Sequence, residues 1–358
     1  MRGVLAFFSL ILLPVISVRG QGGPDSAKRI RVAFIPIIDY DPTLGLNLGA
    51  VGQLFYKLDP TDTISPSSCT GIFGMYTFNG SLFLSAFQKF HIAEDRWRVL
   101  LAGGHGSVNF QYWQEIPVTG GNFVGFNTVM TFAAARVERK ILDQLYAGIN
   151  GAYARTGTAY DLPDWAPDSL RSEEVDMHNF GYQLVYDKRE HQYNPYGGYQ
   201  LVFKHALYPG WLNGGESFQN LRFTYNHYFK ILNERHILAA RFSANISVGK
   251  VPFQGQNVVG QDDIRGYTSG RYRDNQVYAL QAEYRWRFYK RIGAVGFFGL
   301  ATATENLGAL AENELLPGGG IGLRYMMLPE ERINVGIDVA FGKEDWGLYF
   351  RIGEAFGR

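Results

Sequence analysis

The sequence predicts an all-β fold: a transmembrane antiparallel β-barrel of about 16 strands with a long outer loop folded into the lumen. Three observations carry this reading. Apolar and polar residues alternate with a period of two over long runs, turn signals separate the runs, and beyond residue 20 no apolar stretch nears the roughly 20 residues of a spanning helix.

The alternation is clearest at Tyr278, Leu280, Ala282, Tyr284, Trp286 and Phe288, set against Ala279, Gln281, Glu283, Arg285 and Arg287. It recurs with Leu238, Ala240, Phe242, Ala244, Ile246 and Val248 on one face and Ala239, Arg241, Ser243, Asn245 and Ser247 on the other. A third run sets Ile333, Val335, Ile337, Val339 and Phe341 against Asn334, Gly336, Asp338, Ala340 and Gly342. Strands of soluble sandwiches average about 5–6 residues, whereas these reach the roughly 9–11 that cross a bilayer at a tilt. In hydrocarbon an open sheet edge leaves backbone groups unpaired, so the strands must close.

Runs begin near residues 30, 46, 68, 82, 97, 123, 145, 180, 198, 218, 237, 276, 292, 318, 333 and 346. With both chain ends in the periplasm, the long connections Tyr112–Asn122, Asp161–Asn179, Tyr208–Ser217, Val251–Asn275 and Glu305–Pro317 face outward. The acidic loop Asp161–Asn179, with Pro163, Pro167 and Ser169, is expected outside the cell. Opposite connections such as Asn233–His236 and Lys290–Arg291 are short, and Phe78-Asn79-Gly80-Ser81 predicts a type I′ hairpin turn with positive φ at Asn79 and Gly80.

The N-terminus reads as a secretory signal peptide, residues 1–20, followed by a short periplasmic linker, 21–29, and the barrel domain, 30–358. Met1-Arg2 precedes the apolar run Val4 to Ile16 and then Val18-Arg19-Gly20; the alternative, an anchor helix, needs a longer run. Cys69 is the only cysteine, which excludes an internal disulfide. A net charge of +1 and no basic patch argue against a nucleic-acid partner, and outer-membrane lipids are the partners of such a barrel.

Catalytic signatures are missing, and the sequence asks for no cofactor or metal. Gly103-Gly104-His105-Gly106-Ser107 could form an oxyanion loop, but no G-x-S-x-G elbow exists and glycines against a crowded neighbour also explain it. Gly318-Gly319-Gly320-Ile321-Gly322 lies on an alternating strand and opens no helix, and the seven histidines show no metal spacing. Lumen-facing parity falls to Arg222, Arg241, Arg285, Arg287, Arg324 and Arg351 against Glu283 and Asp338. An open lumen would prefer anions, although water-facing barrel walls carry such charges in any case.

Asp262-Asp263-Ile264-Arg265-Gly266-Tyr267, then Gly270-Arg271-Tyr272-Arg273-Asp274 and Ala282-Glu283-Tyr284-Arg285, resemble the Val/Ile-Arg-Gly-Phe/Tyr loop region of the surface-antigen superfamily, the BamA and TamA type of outer-membrane barrel. Three more stretches match in the same order. Pro36 to Gly45 with Gly49, including Tyr40, is similar to the family's first hairpin. Asp187-Lys188-Arg189 with Asn194-Pro195-Tyr196-Gly197 resembles its mid-barrel turn, and Phe350-Arg351-Ile352-Gly353-Glu354-Ala355-Phe356 its closing strand.

The resemblance implies a bacterial outer-membrane, multi-pass barrel acting in insertion, assembly or translocation of outer-membrane proteins, with client proteins or other assembly-machine subunits as partners. The alternative is a passive pore or structural barrel retaining only the scaffold. It implies a seam between an opening strand, Val32 to Tyr40 with Pro36, and a closing strand, Trp346 to Phe356 with Gly353. It also implies that Arg265 meets Glu283. The chain departs from the family by leaving no room for POTRA modules ahead of the barrel, and by Phe297-Phe298-Gly299 where a Phe-x-Asp is usual. Glu283 is therefore expected to carry the arginine more completely than in relatives. The terminal aromatic Phe356 is followed by Gly357 and Arg358 instead of ending the chain.

Overall fold

A computed structural model describes residues 30–41, 45–116, 120–162, 167, 171–260, 263–267 and 271–356. The expected signal peptide and linker lie outside the described residues, as do Pro163, Ser169, Asp262 and Gly270. Among the described residues sixteen wall strands follow one another as an antiparallel meander, and a short additional strand, Ser172–Asp176, pairs with the end of Leu145–Tyr160. The first eight are β1 (Arg31–Asp41), β2 (Gly45–Tyr56), β3 (Ser68–Thr77), β4 (Leu82–Ile92), β5 (Trp97–Ile116), β6 (Gly120–Leu142), β7 (Leu145–Tyr160) and β8 (Asn179–Asp187). The second eight are β9 (Gly198–Tyr208), β10 (Phe218–Lys230), β11 (His236–Gly249), β12 (Gln276–Tyr289), β13 (Ile292–Thr304), β14 (Leu316–Leu328), β15 (Ile333–Gly342) and β16 (Asp345–Ile352).

Each strand pairs with its sequence neighbour, from Arg31↔Phe55 in the first ladder to Gly342↔Asp345 in the last. The sheet curls until β1 and β16 lie side by side, with Cα atoms within 8 Å. Among the described residues no ladder of backbone hydrogen bonds joins them. Side chains close the gap at one rim instead. Arg31 of β1 forms an ion pair of 2.7 Å with Glu330 and another with Glu331, and Ala33 packs into a cluster with Ile333 and Ile352.

Two faces follow from the period of two. On β12, Val277, Ala279, Gln281, Glu283 and Arg285 are buried inside, while Leu280, Tyr284, Trp286 and Phe288 are exposed outside. Leu84, Ile149, Phe298, Ile321 and Leu323 continue this apolar belt, the surface that faces lipid. The glycines of β5 match crowding and no catalytic loop: a Cβ at Gly104 would fall 2.8 Å from the Leu84 carbonyl oxygen, and one at Gly106 3.0 Å from that of Leu82.

Two expectations are corrected. Tyr112–Asn122 is no loop, because β5 and β6 continue pairing to Ile116↔Gly120 and leave only residues 117–119 between them. The turn after β3 is not type I′: of the Asn79-Gly80 pair only Gly80 takes a positive φ, 85°. The Thr77 amide donates to the Ser81 carbonyl at 2.9 Å and the Gly80 amide to that of Thr77 at 2.9 Å, which leaves a three-residue loop. Asn79 accepts the Ser81 amide on Oδ1 at 3.2 Å and donates to the Asn109 carbonyl at 2.8 Å, so its side chain stabilises the alternative turn.

The belt makes a direct prediction. Ile321 is 71% exposed at the middle of β14, so Ile321→Arg should destabilise the barrel in lipid vesicles by about 2–4 kcal/mol, whereas a charge on a water-facing surface costs within about 0.5. Urea unfolding in vesicles measures this, and an unchanged midpoint would place that face in water.

Candidate functional site

Residues 250–275 connect β11 to β12, and their descending part enters the lumen. Val259, Ile264 and Tyr267 are buried in one apolar cluster with Val277 and Ala279 of β12, Ala301 of β13 and Leu316 of β14. Burying side chains of this size contributes roughly 1.5–3 kcal/mol each. Backbone groups fix the depth of the loop. The Tyr267 hydroxyl donates to the Pro317 carbonyl at 2.7 Å and accepts the Lys343 amide at 3.0 Å, and the Gly266 amide donates to the Tyr349 hydroxyl at 2.9 Å.

Close approach requires glycine here. Gly266 has φ +104°, and a Cβ on it would lie 2.6 Å from the Phe341 carbonyl carbon. On the wall, a Cβ at Gly318 would lie 2.6 Å from the Arg265 carbonyl oxygen. Gly318, in the glycine run of β14, is therefore where the loop rests on the wall.

Arg265 is held at the centre of a buried ionic cluster. Its Nη2 donates to Glu283 Oε2 at 2.6 Å, its Nη1 to Asp338 Oδ2 at 2.6 Å, and the guanidinium lies 3.3 Å above the Phe297 ring. Asp338 also receives Arg324, and Arg351 Nε at 2.9 Å. Glu283 receives Arg285 Nε at 2.9 Å, and Glu354 receives Arg324 Nε at 3.1 Å together with the Asn334 amide. Glu283 and Asp338 are 0% exposed. Burying such ions costs several kcal/mol apiece, about what well-made multiple pairing can return. Four arginines face three carboxylates, so one positive charge is in excess.

Glu283 does not hold Arg265 by itself, because Asp338 on β15 supplies a second carboxylate. Gly299 could not hold one: a Cβ there would lie 2.6 Å from Gln281 Cγ and 2.7 Å from the Leu280 carbonyl oxygen. Parity alone had marked Asp338, Arg324 and Arg351 as lumen-facing, and it gave no partners.

The expected closing strand, Trp346 to Phe356, is also corrected. Hydrogen-bonded pairing stops at Ile352, where Gly353 takes φ +80° and donates its amide to the Asn334 carbonyl at 2.7 Å. The chain then turns inward. Glu354 joins the ionic cluster, and Phe356, 1% exposed, packs on Tyr228 and Ala239 across the lumen. The guanidinium of Arg241 lies 5.7 Å from its ring. The terminal aromatic is thus inside the barrel and does not line its membrane face. Glu354 was missed as a site residue, although a lone acid after a glycine at the end of an alternating run was the available signal.

The turn between β8 and β9, residues 188–197, forms a floor below the cluster. Arg189 clasps Asp187 through Nε at 2.8 Å and Nη2 at 2.7 Å, and Arg98 stands 3.7 Å from the same carboxylate. Asn194 accepts Arg285 Nη1 at 3.3 Å, the Tyr196 amide donates to Glu190 at 2.9 Å, and Tyr193 meets Phe55 of β2 edge to face at 5.9 Å. Pro195 is buried within it, and Gly197 passes beside Glu190. The loop motif Ile264, Arg265, Gly266 and Tyr267, its partner Glu283 and the tail from Gly353 to Phe356 all lie inside the lumen, closed below by the turn that holds Asp187 and Arg189. Pro36 and Tyr40 are elsewhere, on β1 opposite Ala50 and Leu46.

The Omp85 superfamily domain matches residues 76–356. Among solved structures, BamA from Haemophilus ducreyi lacking POTRA domains 1–3 superposes with a TM-score of 0.58 at 11% identity, covering 89% of this chain and 70% of that one. CdiB from Acinetobacter baumannii gives 0.56 at 13% identity over 90% of this chain, and CdiB from Escherichia coli gives 0.61 at 10% over 90%. The chain spans 59% and 62% of those two proteins. No curated protein matches. At these identities the structural likeness establishes the fold, a 16-stranded transmembrane β-barrel.

Charge balance ranks the cluster variants. Asp338→Asn strips three arginines of an acceptor and should cost roughly 3–5 kcal/mol, whereas Arg265→Ala leaves three arginines with three carboxylates and should cost about 1–3. Adding Arg265→Ala to Glu283→Gln should add little. The temperature at which the folded band converts on unboiled gels reads this order, and Arg265→Ala as the worst variant would refute the balance argument.

The floor turn predicts a pH effect. Burial, with Arg332 nearby, pushes His191 down from 6.5 to about 4. The unfolded chain therefore takes up the proton first, so stability is full above about pH 6.5 and falls as pH drops toward about 4. In His191→Gln the unfolding midpoint should lose that part of its slope, and an identical slope would exclude His191 as its source.

Proposed function

Because the chain belongs to the Omp85 superfamily, whose members are non-enzymatic transport and assembly proteins, we propose that this outer-membrane barrel takes part in inserting, assembling or translocating outer-membrane proteins. The observation that carries this reading is the seam. All the other neighbouring strands are joined by backbone ladders, whereas among the described residues β1 is held beside β16 by the packing of Ala33 with Ile352, and Arg31 ties it to Glu330 and Glu331 in the turn between β14 and β15. Such contacts part without unpairing a row of buried amides, and two unpaired strand edges are templates for a third strand. A filled lumen fits this role better than it fits a pore, because the Arg265 loop, the Glu354 tail and the 188–197 turn occupy the water path. Likeness to both BamA and CdiB structures supports the family role without separating insertion from translocation.

The seam is testable by crosslinking. After Cys69→Ser, cysteine pairs placed between residues 32–36 and 346–352 should form disulfides. Oxidation should then abolish the barrel's acceleration of reporter-barrel insertion into liposomes, and reduction should restore it. Full activity with the seam completely crosslinked would sink gating. Ion conductance without any acceleration of insertion would identify a passive pore.

A further inference from the structure

Below the ionic cluster, between the 188–197 turn and the inner faces of β12 to β14, lies a solvent-open cleft of about 40 Å³. Arg235, Arg285, Arg287, Arg291 and Arg324 line it. Only two acids do so, Glu234 and Glu354, and both are engaged. Glu354 accepts Arg324 Nε at 3.1 Å, and Glu234 lies 3.7 Å from Lys230.

The arginines are unequally satisfied. Arg324 is held by Asp338 and Glu354. Arg285 is only 6% exposed; its Nε donates to Glu283 and its Nη1 to Asn194, while its Nη2 is buried without a hydrogen-bond partner. Native proteins leave few such donors unmet. Arg287, half-buried one step nearer the mouth, donates Nη1 to the Tyr196 hydroxyl at 3.2 Å, and no described carboxylate lies within 4.0 Å of it. Arg235 and Arg291 stand exposed at the rim.

We propose that this cleft binds a phosphoryl group among Arg287, Arg291 and Arg235, with the buried Arg285 adding positive charge behind them. Planar guanidinium forks match phosphate oxygens in pairs, and the surplus of positive charge selects an anion. The apolar part of the lining, Ile237, Val295 and Met326, suits the carbon portion of a phosphate ester. The inference goes beyond the assembly reading and applies equally to a barrel whose seam never opens. The phosphoryl group can come from a phospholipid headgroup at the inner edge of the membrane or from a soluble phosphate.

Two arms distinguish these sources. Inorganic phosphate is titrated calorimetrically into the intact barrel in neutral detergent at fixed ionic strength, and phosphatidylglycerol is added to the delipidated barrel for native mass spectrometry, with dioleoylglycerol as the phosphate-free control. Saturable binding is expected, weakened about tenfold by Arg287→Gln and severalfold by Arg291→Gln, which sits in an exposed turn and leaves the fold intact. Binding of phosphatidylglycerol alone, weakened in both variants, assigns a lipid headgroup; binding of inorganic phosphate alone, weakened likewise, assigns a soluble source. No binding by the wild type in either arm overturns the proposal. So does equal binding by wild type and the Arg287→Gln/Arg291→Gln variant.

Discussion

The interior of this barrel is organised by the carboxylate of Asp338. It receives guanidinium groups from three directions: Arg265 from the inserted loop, Arg324 from the neighbouring strand and Arg351 from the last strand. A fully buried carboxylate tolerates such a position only if it is surrounded by donors, and donors so placed tolerate it only if the carboxylate stays. Wall, loop and final hairpin are therefore bound to one another through a single side chain. Glu283 and Glu354 extend the network in two directions, toward β12 and toward the tail.

Much of the wall was legible in the sequence. The expected strand starts fall within three residues of the observed ones, from 30 against Arg31 to 346 against Asp345. The reason is physical: a bilayer on one side and water on the other impose a strict period of two, and a slip of one residue would put Arg285 or Asp338 into lipid. Outside the bilayer that constraint lapses. The extended β5–β6 hairpin and the turn after β3 were misread there, because water satisfies loop and strand backbones alike and local side chains such as Asn79 decide.

The site was legible only in part. Arg265, Gly266 and Glu283 stood out through a motif and a parity, and the structure brings them together. Asp338 was marked by parity without its partners and Glu354 not at all, because partnership across a lumen depends on how far the sheet curls, which no short-range pattern encodes. The inward turn at Gly353 illustrates the limit: alternation continues through Phe356 as though the strand did, and one positive φ ends it. The same curl brings β1 beside β16, and among the described residues no ladder joins them, so the seam is visible only once both edges are placed.

The inward tail also sets a timetable. A chain delivered across a membrane N-terminus first presents Arg265 long before Asp338, Arg351 and Glu354 arrive. Until then the arginine loop has only part of its anchor, and the lumen must remain wet. Completion waits for the last hairpin and the few residues after it, which reach back across the interior to Tyr228 and Ala239. A nascent barrel stalled short of its C-terminus would thus hold most of its wall and only part of its lock, so loss of the final residues would be felt first in the middle of the molecule and only later at its edge.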